Sequence, residues 1–250
     1  MKLIQPCDTI TTEELLLWLR SEVSDPLPAD IAHEHYLLMH PRISYLKNLP
    51  HNSVILDVGA GSGALRGFRE WLGFKRMDLK FIGISLDHGQ YTGTYEEFHI
   101  CDLSHTTPKF ELKPTDAVLA QFIEHVEDPK IFLKKLAEIL PTGGTAFVDW
   151  PGSHTQNLPT CVDIRSQGFD ITTLNFFDDS THKKAYTLEE MSDYATVAGF
   201  EITASGYVDM PYLANSLKHH GIESKDQYLL SMAVWLKTNF VSYLRLVKSS

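Results

Sequence analysis

Asp57, Gly59, Gly61 and Gly63 stand two residues apart in the run Val54-Ile55-Leu56-Asp57-Val58-Gly59-Ala60-Gly61-Ser62-Gly63-Ala64-Leu65. That order reads as a buried strand, a tight turn and the start of a helix. Glycine tolerates the positive φ angles such a turn needs, and its missing side chain lets a ligand lie against bare backbone. A dinucleotide fingerprint would be Gly-x-Gly-x-x-Gly. Here the third glycine comes one residue early, and an acid precedes the first by two. A P-loop needs Gly-Lys-Ser/Thr, which is absent. An acid ending a buried apolar strand needs a partner, so Asp57 is a candidate binding residue.

The other residue types with chemistry to offer are histidine and cysteine. His33 and His35 are two apart and point different ways on a helix, so with His40 they read as exposed or capping side chains. His125, His154 and His182 are the candidate proton acceptors. Cys7, Cys101 and Cys161 are few, odd in number and far apart, with no Cys-x-x-Cys pair. Neither a zinc site nor a disulfide framework is expected; reduced thiols in a cytoplasmic protein are the plain reading. No metal-ligand cluster stands out.

The elements that must position these residues fit one domain of 250 residues. Hydrophobic content of 43% and charged content of 22% are ordinary for a globular protein. With 22 basic and 32 acidic residues the net charge is -10, which argues against broad binding to a nucleic-acid backbone. No apolar run approaches the length of a membrane helix, and the segment 1–7 lacks the apolar core of a signal peptide.

Residues 1–50 read as a helical extension. Thr11 or Thr12 caps a helix beginning at Glu13, a second begins near Ala29, and a third runs from Arg42 to Leu49. From residue 53 to 148 strands and helices alternate. The strands are Val54–Val58, Lys80–Leu86, Phe98–Cys101, one beginning at Asp116–Leu119, and Thr145–Asp149. The helices run roughly Ala64 to Trp71 and Pro129 to Leu140. Between the second and third strands, two glycines and a poor helical pattern predict a loop or a single turn. Residues 150–185 are irregular, and a loop this long is either functional or carries short helices of its own. A helix from Leu188 to Ala198 follows, then a sixth strand Phe200–Val208, a helical segment around Lys225–Lys237, and a last strand Phe240–Val247. Apolar strands alternating with helices make a parallel sheet covered on both faces, with ligands at the carboxyl ends of its strands. The informative strand ends are Asp57, Asp87, Asp102, Gln121 and Asp149.

Over roughly residues 50–208 the chain resembles the Rossmann-like (class I) methyltransferases that use S-adenosylmethionine. Leu56 to Gly63 is similar to that family's first motif. Phe122-Ile123-Glu124-His125-Val126-Glu127-Asp128-Pro129 resembles its segment after the fourth strand, Leu140-Pro141-Thr142-Gly143-Gly144 the turn before its fifth, and Ala198-Gly199-Phe200-Glu201 the approach to its sixth. The resemblance implies a seven-stranded, mostly parallel α/β sheet with an antiparallel last strand and helices on both faces. It implies one domain: a helical extension or lid at 1–50, a cofactor-binding core at 51–208, and a closing helix and strand at 209–250.

It also implies a cofactor site for S-adenosylmethionine, with S-adenosylhomocysteine as product. Gly59, Ala60, Gly61 and Gly63 would let backbone approach the methionine moiety and ribose, and Asp57 would hold the ammonium group. The family's ribose-binding acid falls at Ser85, with Asp87 two residues later, which is a departure. Asp102 would accept from the adenine amino group, with Leu103 nearby, and Gln121 and Phe122 would line the far wall. His125 falls near the expected methyl position. His182 lies in an Asp-x-Thr-His stretch, Asp179 to His182, similar to one found in small-molecule relatives.

The acidic balance and the aromatic-rich segments 1–50, 150–185 and 209–225 point to a small-molecule acceptor, with oxygen or nitrogen preferred over carbon. No nucleic-acid or membrane partner is expected. A non-catalytic protein of the same fold that binds S-adenosylmethionine or S-adenosylhomocysteine is the alternative from another class. A nicotinamide-dependent oxidoreductase is disfavoured by the glycine spacing.

Overall fold

The computed structural model describes residues 10–71, 73 and 75–249; Cys7 and the segment 1–7 lie outside the described residues. Seven strands form one sheet: β1 (Val54–Val58), β2 (Lys80–Ser85), β3 (Glu97–Ile100), β4 (Asp116–Ala120), β5 (Thr145–Pro151), β6 (Phe200–Tyr207) and β7 (Val241–Lys248). Their order is β3-β2-β1-β4-β5-β7-β6. The first five pair in parallel, with Asp57 opposite both Gly83 of β2 and Val118 of β4. β7 runs antiparallel to β5: Lys248 exchanges backbone hydrogen bonds with Gly143 and Gly144, while the Gly152 amide donates to Phe240. This is the Rossmann-like sheet, mostly parallel with an antiparallel last strand, that the sequence predicts.

Nine α-helices occur among the described residues: α1 (Thr12–Arg20), α2 (Ala29–Met39), α3 (Pro41–Lys47), α4 (Ala64–Gly67), α5 (Pro129–Ile139), α6 (Cys161–Ser166), α7 (Leu188–Val197), α8 (Pro211–Ser224) and α9 (Gln227–Lys237). Local chemistry fixes several ends. Thr11 and Glu14 close a capping box on α1, and Asp128 caps α5 ahead of Pro129 at its first turn. The chain divides into two compact units. One comprises Met1–Pro41, Pro151–Leu188 and Gly206–Ser242; the other comprises Arg42–Trp150, Glu189–Ser205 and Tyr243–Ser250. The second unit carries β1 to β4, and its core packs Ile43 and Leu46 of α3 with Ile55, Leu79, Phe81, Val118 and Phe147.

Two local expectations change. The helix predicted to reach Trp71 ends at Gly67, where the chain tightens into a 3-10 turn, Phe68–Glu70. Gly67 lowers helix propensity there, and the Phe68 amide donates to Leu65 and Arg66 rather than four residues back. The irregular 150–185 region carries short helices of its own, as expected of so long a loop: α6 and two 3-10 turns, Ser153–Asn157 and Phe176–Asp178. Helix α8 fills a region with no predicted element. Its polar residues mask a helical pattern because they are buried and bonded to backbone. Lys218 donates to Trp18 O and Ser21 O, at 2.7 and 2.9 Å. Ser216 Oγ accepts from the Leu27 amide, and His220 Nε2 donates to Leu27 O. As expected, β2 and β3 are linked without a crossover helix, by a single 3-10 turn, Thr92–Thr94.

A Cβ at Gly221 would lie 2.6 Å from the Leu230 amide nitrogen, so α8 and α9 meet backbone to backbone. Gly221→Ala is therefore expected to lower stability by about 1–3 kcal/mol, read as an earlier urea midpoint. An unchanged midpoint would mean that this contact has slack.

Candidate active site

The parallel register brings the carboxyl ends of β1 to β5 to one edge of the sheet. Asp57, the fourth residue of β1, is only 2% exposed. Its carboxylate accepts a hydrogen bond from the Tyr95 hydroxyl. Burial pushes the Asp57 carboxyl up to about 6, against the opposing pull of the Tyr95 hydrogen bond and the Arg42 charge.

Gly59, Gly61 and Gly63 all take positive φ, at 73°, 51° and 82°. They need to be glycine for different reasons. A Cβ at Gly59 would meet the Phe122 ring at 2.3 Å, and one at Gly63 would meet Tyr91 and Thr92 backbone at 2.9–3.0 Å. A Cβ at Gly61 would find no atom nearer than Gly59 O at 3.7 Å. Gly61 is exposed, so the open stretch of bare backbone lies there. The amides of Gly59 and Ala60 both donate to Ile84 O at 2.9 Å, which ties the turn to β2.

Ser85 is the last residue of β2 and half-buried, and Asp87 lies exposed in the bend beyond it. Asp102 follows β3 and is exposed. Its carboxylate accepts from the Ser104 amide at 2.8 Å and contacts His105 Nδ1 at 2.9 Å. Partial burial pushes the Asp102 carboxyl up, but the hydrogen bonds from His105 and Ser104 outweigh it and hold it below the usual carboxylate range. Leu103 beside it is buried.

Beyond β4 the chain enters a rare conformation: Gln121 has φ 50° without being glycine. Asp149 of β5, fully buried, holds it there. The Gln121 amide donates to Asp149 O and to its Oδ1, and Gln121 Nε2 also donates to Oδ1, each at 3.0 Å. Arg42 grips the same carboxylate bidentately, with both N–H···O contacts at 2.7 Å. Phe122 follows, its ring over Gly59 and 5.3 Å from Phe132.

His125 ends a 3-10 turn, Ile123–His125, in the same unit as Asp57 and is half-buried. His154 and His182 belong to the other unit. His182 Nδ1 donates to Phe176 O at 2.6 Å and its ring lies 4.6 Å from the Phe176 ring. That carbonyl makes Nδ1 a donor, and Nε2 lies 3.9 Å from Asp179 Oδ2. His154 Nε2 donates to Thr238 O, and burial holds its pKa below the usual histidine range. His154 is thus a half-buried neutral ring, not an exposed base.

Two other groupings lie in the unit that contains α8. His219, His220 and Glu223 bring ligand-type atoms within 4.8 Å of one another. His219 is already 3.1 Å from Glu223, and His220 is bonded to Leu27 O. A cavity there is lined by Leu19, Val23, Phe169, Lys218, His219 and Ile222. The Lys218 ammonium is committed to Trp18 O, Ser21 O and Ser21 Oγ, so it is no cation presented to a ligand.

A family model described as a methyltransferase domain matches residues 31–205, well over half of the chain. The chain belongs to this methyltransferase family. It is a Rossmann-like enzyme whose cofactor is S-adenosylmethionine. Solved methyltransferase structures share the fold. A chain in the complex between the Haloferax volcanii Trm112 methyltransferase activator and a methyltransferase aligns with TM-score 0.56 at 16% identity, covering 88% of this chain and 89% of that one. Phosphoethanolamine N-methyltransferase 2 of Haemonchus contortus, bound to phosphomonomethylethanolamine and S-adenosylhomocysteine, gives 0.54 at 15%, covering 88% of this chain and 57% of its own. An S-adenosylmethionine-dependent methyltransferase from Clostridium acetobutylicum gives 0.51 at 12%, covering 90% and 93%. A comparison with curated protein sequences gives no match.

The residues at the sheet edge fit this cofactor. Asp57 is an acid whose charge is opposed by burial, which a primary ammonium group would relieve. Gly61 offers exposed backbone with open space on its Cβ side. Two residues of the site, Arg42 and Tyr95, carry no sequence signal. Each is defined by a partner far along the chain, Asp149 and Asp57 respectively.

Proposed function

We propose that the chain methylates a small molecule, at oxygen or nitrogen in preference to carbon. The observation that carries this reading is charge. The site is built around two buried acids, Asp57 and Asp149, in a chain of net charge -10. That field disfavours a polyanionic nucleic-acid substrate and tolerates a neutral or cationic metabolite. Among the described residues no helix is long and apolar enough to cross a membrane. We place the enzyme in the cytoplasm with reduced thiols.

The cofactor supplies a methyl group already activated on a sulfonium. Asp57 receives the ammonium group, and the Gly61 backbone lies along the methionine moiety. Ser85 or Asp87 bonds the ribose hydroxyls, Asp102 accepts from the adenine amino group, and Leu103 covers that base. Gln121 and Phe122 form the far wall, with Gln121 held by Asp149, whose carboxylate Arg42 grips. The acceptor is oriented for in-line attack, where positioning supplies most of the acceleration. An acceptor that loses a proton hands it to His125. The test is transfer of labelled methyl from S-adenosylmethionine into a cell extract separated by size. Label in the metabolite fraction is expected, and label confined to RNA, DNA or protein would overturn the small-molecule reading.

A further inference from the structure

Tyr95 sits between the 3-10 turn Thr92–Thr94 and β3, nearly forty residues after the acid it touches. Asp57 lies on β1 directly opposite Gly83 of β2. The Tyr95 ring lies over β2 at Gly83: a Cβ there would be 3.0 Å from Tyr95 Cδ1 and 2.4 Å from the Phe98 ring. Phe81 and Phe98 each hold the Tyr95 ring edge-on, at centroid distances of 6.1 and 5.9 Å. From that position its hydroxyl donates to Asp57 Oδ2. Gly83 is thus the gap through which a side chain beyond β2 reaches a carboxylate on β1.

We propose that Tyr95 is a positioning residue for the methyl-donor site: its hydroxyl orients the Asp57 carboxylate and keeps it ionised to receive the cofactor's ammonium group, and Gly83 is kept bare to let it do so. This rests on the role given to Asp57 above. The groups facing Asp57 are Tyr95, from the segment before β3, and Arg42, from α3. Arg66 of α4 faces Tyr95 in turn. The phenol cannot compete for the charge, because burial and the neighbouring Asp57 push the Tyr95 hydroxyl far above the usual tyrosine range. Burial raises the Asp57 carboxyl and the Tyr95 hydrogen bond opposes that rise. Removing the hydroxyl therefore moves the Asp57 titration to higher pH. An ammonium ligand prefers the ionised acid, so binding weakens as pH falls through that titration.

Calorimetric titration with S-adenosylhomocysteine from pH 5 to 8 tests this on wild type, Tyr95→Phe and Asp57→Asn. Wild-type affinity is expected to fall up to tenfold per pH unit below about 6. In Tyr95→Phe that fall begins roughly one pH unit higher, and the two proteins converge towards pH 8. Asp57→Asn loses affinity and most of its pH dependence. A Tyr95→Phe protein weakened equally at every pH, or unchanged, overturns the proposal and makes Tyr95 a packing residue. Wild-type binding by Asp57→Asn overturns the Asp57 reading itself, and the Tyr95 proposal with it. Carbon-13 detection of the Asp57 carboxyl in the ligand-free proteins separates the two failures. A higher titration midpoint in Tyr95→Phe is expected there without any cofactor, and an unmoved midpoint refutes the hydrogen bond's role. Gly83→Ala is expected to raise that midpoint as well, by displacing the ring.

Discussion

Arg42→Met is expected to destabilise the protein by about 3–5 kcal/mol, because it removes a bidentate cation from a fully buried carboxylate. Asp149 would keep the Gln121 donors, but two amide N–H groups do not replace the charge of a guanidinium. The urea midpoint should fall steeply at neutral pH. Arg42→Met combined with Asp149→Leu should recover part of the loss, since a buried pair replaced by apolar groups costs much less than a pair broken on one side. Midpoint losses that simply add in the double variant would show that the two side chains act independently. The same substitution also reaches the proposed cofactor wall. Gln121 is held at φ 50° by its bonds to Asp149, and a relaxed Gln121 would move the wall that Phe122 continues.

Gly61→Val is expected to weaken S-adenosylhomocysteine binding at least about 100-fold, roughly 2.8 kcal/mol, while far-UV circular dichroism stays near wild type. The contrast among the three glycines makes the prediction sharp. At Gly61 an added side chain would enter open space, so the fold bears only the strain of a β-branched residue at φ 51°. The valine would cover the one exposed stretch of bare backbone in the turn. Gly63→Ala should behave differently, because its Cβ would collide with Tyr91 and Thr92 backbone. A loss of about 1–3 kcal/mol in stability is expected there, with binding failing only as the fold fails. If Gly61→Val binds as wild type does, the cofactor does not lie on this turn.

Much of this was legible along the chain because the signals are local. Val54 to Gly63 contains its own strand, its acid and its turn. Asp128-Pro129 announces α5 by cap and first-turn chemistry. The poor helical pattern after β2 correctly predicts a loop or a single turn in place of a crossover helix. The misses are where remote partners decide. No element is predicted over 211–224, where Ser216, Lys218 and His220 are each buried or half-buried against backbone in α8. The helix after β1 is shorter than its apolar residues imply, because Gly67 lets it tighten into a 3-10 turn. Along the chain Arg42 only opens the third predicted helix, and Tyr95 carries no signal of its own. Their importance lies in Asp149 and Asp57, whose own importance was visible from the ends of β5 and β1.

We propose that the cofactor lies across the carboxyl ends of β1 and β4, against Asp57, Gly61, Gln121 and Phe122. Hydrogen–deuterium exchange with and without S-adenosylhomocysteine tests it most directly, since it locates the ligand along the backbone. The expected result is slowed exchange concentrated in residues 57–65 and 120–123. Protection confined to the cavity lined by residues 19–23 and 218–223, with 57–65 unchanged, would contradict it.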